Sequence, residues 1–413
     1  MILIAVKLSG SALTMNGFTS DDFLDRLLSA STLDEDMLSD TPSLDQFRKA
    51  CLLALYEFHQ YPGTQSWMRI GTLIRTAYRV GLDRIESLRA IYRDWGAMSD
   101  EDLQEWRAVW WCIYRLDSYS NLAMGMPYLI NETLINTNLM VDNDHQLSPA
   151  IKLPPHASQL WTLLPLIIPH PETFLANIHI LTVTAMRHVG QLMRSSFLDI
   201  QDQDFTLLED LEQSLSTLRL ALPACWLSTA RNVFANESHT SHHARLVTIF
   251  HLRMTQLLIA VMKSGKTDVA QRMAAWQQVI GACQDISNVA EQWDGSLCVS
   301  VDPAIVFIMF TALLCLEVHR KSPFAAAVGV MAGIDHCVTV LLLSLKQFAQ
   351  VWTLPRLLAC KFFLCLCPVV LMIGCVGVIC LCSLPLFSVI REFPTVVSEH
   401  TYRKANRLHL VAV

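Results

Sequence analysis

Apolar positions recur every three to four residues along most of the chain, the spacing that gathers them on one face of a helix. Leu44, Phe47, Cys51, Ala54 and Phe58 form the first clear stripe. It begins behind Ser43 and Gln46, whose Ser-x-x-Gln spacing predicts a capping box in which each side chain satisfies an orphan N–H. Tyr61-Pro62-Gly63 interrupts the stripe. Trp67, Ile70, Ile74 and Ala77 form the next, with Ser66 as its predicted N-cap. Gly81 is its predicted C′ residue, because glycine enters positive φ without a Cβ clash. A third, longer helix is predicted from Ser99, with Asp100, Glu101 and Asp102 in a first turn where the helix dipole favours anions.

That third helix has an unusual content. Val109, Cys112, Ile113 and Leu116 share a core face, yet the same segment carries Trp110 and Trp111, Tyr114, Arg107, Arg115 and Asp117. Arg107 and Arg115 each lie four residues from Trp111, which predicts cation–π stacking over that indole. Asp117 is placed to reach another helix. Adjacent helical residues point about 100° apart, so the two tryptophans face different neighbours. Trp110, next to the Val109/Ile113 face, is expected to be the more buried. Trp111 is expected at the core edge against the 66–81 helix. Gly125 and Pro127 end the segment, since glycine tolerates the cap geometry and proline cannot continue a helix.

Two motifs in order, "RIGTLIRTAYRVGLDR" (69–84) and "WRAVWWCIYRLDSYSNLAMGMPYLI" (106–130), resemble the regulatory domain of fungal zinc-cluster transcription factors, the middle homology region. Gly81, Leu82 and Arg84 match the family's helix-ending turn. Arg107, Trp110, Trp111, Tyr114, Leu116, Asp117, Gly125 and Pro127 match its later helix. Asp83 stands where the family usually has His, and Trp106 and Ala108 stand where it prefers Arg. The resemblance covers 43–145 most closely and continues to 358 through helix-like stretches such as 211–226 and 246–259. It implies an all-α, irregular multi-helix fold and a role in transcription regulation in the nucleus. The expected partners are proteins of the transcription machinery or a homo- or heterodimer, with a small-molecule effector. It implies no enzyme activity, cofactor or metal.

Composition qualifies this picture. The net charge is -6 and charged residues are 16% of the chain, against the basic surface that nucleic-acid binding needs. Family members usually carry six closely spaced Cys in an N-terminal zinc cluster, but residues 1–50 contain no Cys. Six of the 13 Cys fall in 360–382 without the paired C-x2-C of zinc modules. Direct DNA binding by this chain is therefore not expected. Dispersed, apolar-flanked Cys such as Cys51, Cys112 and Cys315 read as buried thiols of a reducing compartment. The N-terminus lacks a basic n-region, so no secretory signal is read there.

The sequence divides into an acidic leader (1–42), the helical regulatory domain (43–358), an apolar Cys-rich segment (359–391) and a short tail (392–413). The leader's mix of Asp and Glu with Phe and Leu suits either an activation segment or a solvated amphipathic arm. No charge lies between Lys361 and Arg391, longer than the roughly 20 apolar residues that span a bilayer. Burial in the domain or translated non-coding sequence is favoured over a membrane anchor, because the flanking Lys/Arg set no clear topology.

Other motifs fall short of chemistry. Gly265-Lys266-Thr267 lacks the leading Gly and the preceding strand of a phosphate-binding loop, and reads as a helix C-terminus. His239, His242 and His243 have no companion ligand pair and read as a helix-start loop. "DNDH" (142–145) lacks the Gly and Glu of a calcium loop. The alternatives to a transcription regulator are a small-molecule-binding protein or enzyme on the same scaffold, or a membrane-anchored helical protein.

Overall fold

The computed structural model describes residues 37, 39–60, 62–141, 150–198, 203–223, 225–265, 269–321 and 331–365. Most of the leader, the 142–145 motif, Lys266 and Thr267, and everything from 366 onward lie outside the described residues. Among those described, the fold is all-α with no strand.

The first three long helices follow the sequence periodicity. Helix α1 (Leu44–Gln60) buries Phe47, Cys51, Ala54 and Phe58. Its start is the expected capping box: the Ser43 N–H donates to Gln46 Oε1 at 2.7 Å and the Gln46 N–H to Ser43 Oγ at 3.3 Å. Helix α2 (Thr64–Val80) starts earlier than expected, behind Gly63 instead of Ser66. Ser66 sits one turn in, where it donates to the Gly63 carbonyl at 2.9 Å and accepts from the Gly63 N–H at 3.2 Å. The serine thus acts as the back-bonding half of a cap, which spacing alone does not separate from the cap itself. A single 3-10 turn and the short α3 (Ile85–Ile91) lead to α4 (Asp100–Met124). Ser99 caps α4 by accepting from the Asp102 N–H at 3.1 Å. The stops are as expected: Gly81 (φ 88°) and Gly125 (φ 63°) both take the left-handed conformation that ends a helix.

The second half adds α5 (Pro171–Leu198), α6 (Gln203–Ala221), α7 (His239–Lys263), α8 (Val269–Ala290), α9 (Pro303–Lys321), α10 (Met331–Phe348) and α11 (Thr353–Cys365). Helix α4 packs on α1, α2, α5 and α9, while α7 packs on α5, α8 and α9. Helix α9 is apolar around its circumference, which marks a helix enclosed by others. It touches α1, α4, α7, α8, α10 and α11. Helices α7 and α9 are long and apolar enough to cross a membrane, but 83% and 89% of their apolar windows are buried inside the protein.

Helix α7 ends at Lys263, which pairs with Glu212, so a helix and not a strand precedes Gly265. The three histidines at its start diverge. His239 is the first helical residue, His242 bonds the Thr229 carbonyl at 2.8 Å, and His243 stacks edge-on against Trp293 at 4.2 Å. Helix α11 runs through position 359, burying Leu354, Leu358 and Phe362 against the core.

Candidate functional site

Gly81 and Leu82 are buried where α2 turns, and the Gly81 N–H reaches the Ala77 and Tyr78 carbonyls. A Cβ at Gly81 would meet the Leu88 side chain at 3.1 Å, so a larger residue would crowd Leu88 besides straining the positive φ of 88°. Arg84 is exposed, and its N–H donates to the Gly81 carbonyl at 3.0 Å, but it is not brought to the motif residues of α4. Asp83 is buried with one carboxylate oxygen lacking a protein partner, and burial raises its pKa above the usual carboxylate range.

The aromatic and charged content of α4 resolves into separate ties to separate neighbours. Arg107 does not stack on Trp111. Its guanidinium grips Glu86 of α3 through both carboxylate oxygens, Nε to Oε1 at 2.9 Å and Nη2 to Oε2 at 3.0 Å. Arg115 turns to Tyr119 and Asp302. A carboxylate offers a guanidinium two charge-assisted hydrogen bonds, more than a ring face supplies. Both expected stacks are therefore replaced by ion pairs.

The tryptophans also depart from expectation. Trp110 is 0% and Trp111 1% exposed, so neither sits at an edge. It is Trp110 that meets α2, edge-on to Tyr78 at 5.8 Å. Trp111 packs edge-on to Tyr114 at 5.4 Å and donates its Nε1–H to the Asn138 carbonyl at 2.9 Å. The expectation failed because α4 is enclosed on several sides, so two directions 100° apart both lead into the core.

Asp117 is the centre of the lock. Arg187 of α5 donates to it at 2.7 Å, with both side chains fully buried. The same carboxylate accepts from the Leu129 and Ile130 N–H groups at 3.0 and 3.1 Å and from Asn121 at 2.6 Å. The chain after the Gly125 turn is thereby folded back along the helix it has just left. Pro127 lies exposed in that return. Arg187 further donates to the Ile130 carbonyl and lies over the Tyr128 ring at 4.0 Å. Its Nε sits 3.1 Å from Glu132, which accepts from Tyr114 and from His188. Burial alone would raise the Glu132 carboxyl, but the His188 hydrogen bond and the Arg187 charge outweigh it and hold it below the usual range. Arg187, Glu86, Glu132 and Asn121 were not legible as site residues. The available signal was a lone Arg inside the apolar run "HILTVTAMRHVG".

A second polar cluster lies on another side of α4, at Arg115 and Tyr119. Arg115 Nη2 donates to Asp302 at 2.9 Å, and the Tyr119 hydroxyl bonds His179 Nε2 at 2.6 Å. His179 packs edge-on to His251 at 4.6 Å. Asp302 also caps α9, accepting from the Ala304 N–H at 3.0 Å. Burial pushes His251 down to about 4 and His59, edge-on to Trp352 at 4.5 Å, down to about 3. Cys51 and Cys112 hydrogen-bond thiol to thiol, an interaction that raises Cys51 and lowers Cys112.

The architecture is a helical scaffold whose polar interior joins helices to each other. The profile of the fungal specific transcription factor domain matches residues 1–226, more than half of the chain. The chain belongs to that family. It is similar to the transcription factor tazR of Aspergillus terreus, at 29% identity over 98 residues. That alignment spans 24% of this chain and only 15% of the relative. No solved structure matches significantly.

Proposed function

We propose that this chain acts in the nucleus as a transcription regulator, through its fungal specific transcription factor domain. Membership of that family over residues 1–226 carries the reading. The regulatory domain is taken as 43–358. Its working contacts are with proteins of the transcription machinery or a second subunit, under the control of a small molecule. The motif residues Arg107, Trp110, Trp111, Tyr114, Asp117 and Gly125 serve as the structural frame: each is tied to a neighbouring element or ends a helix, and Arg84 and Pro127 are the exposed exceptions. The test is to fuse the full chain to a heterologous DNA-binding domain and measure a reporter in a fungal host. A change of threefold or more over the DNA-binding domain alone, in either direction, is expected. An unchanged reporter, with the fusion present in the nucleus at normal abundance, would reject the reading.

A further inference from the structure

Helix α2 and the chain that returns after Gly125 form a ledge with an open outer face. Met68, Thr72, Arg75 and Arg79 are exposed along α2 at three- to four-residue spacing, which is one side of the helix. The returning chain runs beside that side. A Cβ at Gly71 would meet Leu129 Cδ1 at 3.6 Å and Arg75 Nη1 at 3.9 Å, so a leucine methyl and a guanidinium flank one point on α2. Further on, the Asn131 N–H donates to the Tyr78 hydroxyl at 3.0 Å and the Asn136 N–H to the Asp83 carbonyl at 2.7 Å. Met68 is 49% and Leu129 39% exposed, and Leu134, between those last two ties, is 61% exposed. The backbone cannot shift to cover Leu129, because Asp117 holds the Leu129 and Ile130 N–H groups. The ledge is therefore preformed, and a partner would meet it without a cost of ordering.

Its charge is as defined as its shape. Arg79 is spent on the chain before α1, donating to the Met37 and Ser39 carbonyls at 3.1 and 2.5 Å. Arg75, one turn earlier, makes no hydrogen bond or ion pair with a described residue. Glu132, in the same returning segment, is turned inward to Arg187 and His188 and cannot serve it. In a chain of net charge -6, an open cation thus stands beside exposed apolar groups. The complement is a carboxylate set among apolar side chains. The occupant must also satisfy its own backbone, since the N–H groups of 129, 130 and 131 are taken and those of α2 are bonded within the helix. An α-helix meets that condition, and three turns of it, about 16 Å, match the run from Met68 to Arg79. An anionic bilayer fits less well, because surfaces that bind one gather about four to eight lysines or arginines.

From this ledge we infer a docking site for an acidic amphipathic helix of a partner protein, with apolar side chains on Met68 and Leu129 and a carboxylate on Arg75. That the partner belongs to the transcription machinery rests on the regulatory reading above; the binding itself is measured without it.

The probe is a fluorescein-labelled peptide of about three to four helical turns, with leucine at every third or fourth position and glutamate beside it. It is titrated by anisotropy against the full chain. Controls carry lysine for glutamate, or glutamine for leucine. The acidic peptide is expected to bind about tenfold or more tightly than either. Arg75→Glu removes no bond, so the protein should keep its unfolding temperature while its preference reverses toward the lysine peptide. Met68→Gln should weaken the acidic peptide by about tenfold. No binding, equal binding of the acidic and lysine peptides, or an Arg75→Glu protein that still prefers glutamate would overturn the assignment. So would self-association of the full chain that Arg75→Glu abolishes, which would make the occupant a second copy, or binding to phosphatidylserine vesicles alone. The reporter response of the fusion should be lost in Arg75→Glu. A response that survives there, combined with no peptide binding, would remove this ledge and leave the proposed function standing.

Discussion

Asp117 and Arg187 stand 70 residues apart in sequence and 2.7 Å apart in the fold, with no solvent on either. Around that pair the carboxylate receives two backbone N–H groups and the guanidinium covers a tyrosine ring. The ion pair fixes α4, its return strand of chain and α5 in one register.

Removing one member of a buried pair leaves the other charge uncompensated, at a cost of about 3–5 kcal/mol. Arg187→Met should therefore lower stability by about that amount. Arg187→Lys should recover little, because lysine lacks the planar fork that reaches Asp117, Ile130 and Glu132 together. The double variant Asp117→Asn/Arg187→Met should be more stable than the sum of the single losses. Urea unfolding of the four proteins measures this, and simple additivity would show that the two do not act as a pair.

The tryptophans separate by their hydrogen bonds. Trp111→Phe strips the Asn138 carbonyl of its donor, whereas Trp110 Nε1 has no protein partner to lose. Trp111→Phe should cost about 1 kcal/mol more than Trp110→Phe. Either alanine variant should cost about 3–5 kcal/mol through the cavity it leaves. Thermal unfolding decides the order, and a costlier Trp110→Phe would contradict it.

Stability should fall in mild acid. His59 and His251 are held down to about 3 and about 4 in the fold, and His179 is lowered too, chiefly by burial. In the unfolded chain each titrates near about 6.5. Below that pH the unfolded state takes up protons that the folded state refuses, so stability declines as pH falls from about 6.5 toward 4. Each such histidine contributes a slope of about 1.4 kcal/mol per pH unit. His251→Phe should flatten the decline by one proton's worth, as read from unfolding free energies at pH 7, 6 and 5. An unaltered slope would mean that His251 is protonated in the folded protein.

Gly190 supplies a packing test. A helix-interior glycine replaced by alanine normally gains about 1 kcal/mol. Here the added Cβ would lie 2.5 Å from the Tyr128 hydroxyl and 2.7 Å from Leu122 Cδ1. Tyr128 is the ring under Arg187, so it cannot retreat without disturbing that contact. Gly190→Ala should instead destabilise by about 1–3 kcal/mol, as overpacking does. Gly281→Ala, where nothing lies within 4 Å, is the matched control and should stabilise.

The features legible in the sequence are those closed within one turn. Ser43 with Gln46, Ser99 with Asp102, and the glycines at 81 and 125 each act over three or four residues, and all formed as their spacing requires. The partners of the α4 charges were not legible. Glu86, Arg187 and Asp302 lie 21, 70 and 187 residues from the residues they bind, and only the packing of helices brings them together. Local spacing offered Arg107 and Arg115 a ring, and the fold offered them carboxylates. The same limit applied to the tryptophans, since periodicity gives direction around a helix but not how many sides of it are covered.

The contact between α1 and α11 bears on how the protein is made. The Thr353 N–H donates to Gln60 at 3.2 Å across 293 residues, and Trp352 lies against both Tyr56 and His59. As the chain leaves the ribosome, α1 emerges well before α11, and the flank of α1 that faces α11 waits for it. At about 5–20 residues per second, synthesis of the intervening chain leaves that flank uncovered for tens of seconds. During that interval the nascent chain presents Tyr56 and His59 to chaperones, and a product truncated before Trp352 would lack the indole that lies against both.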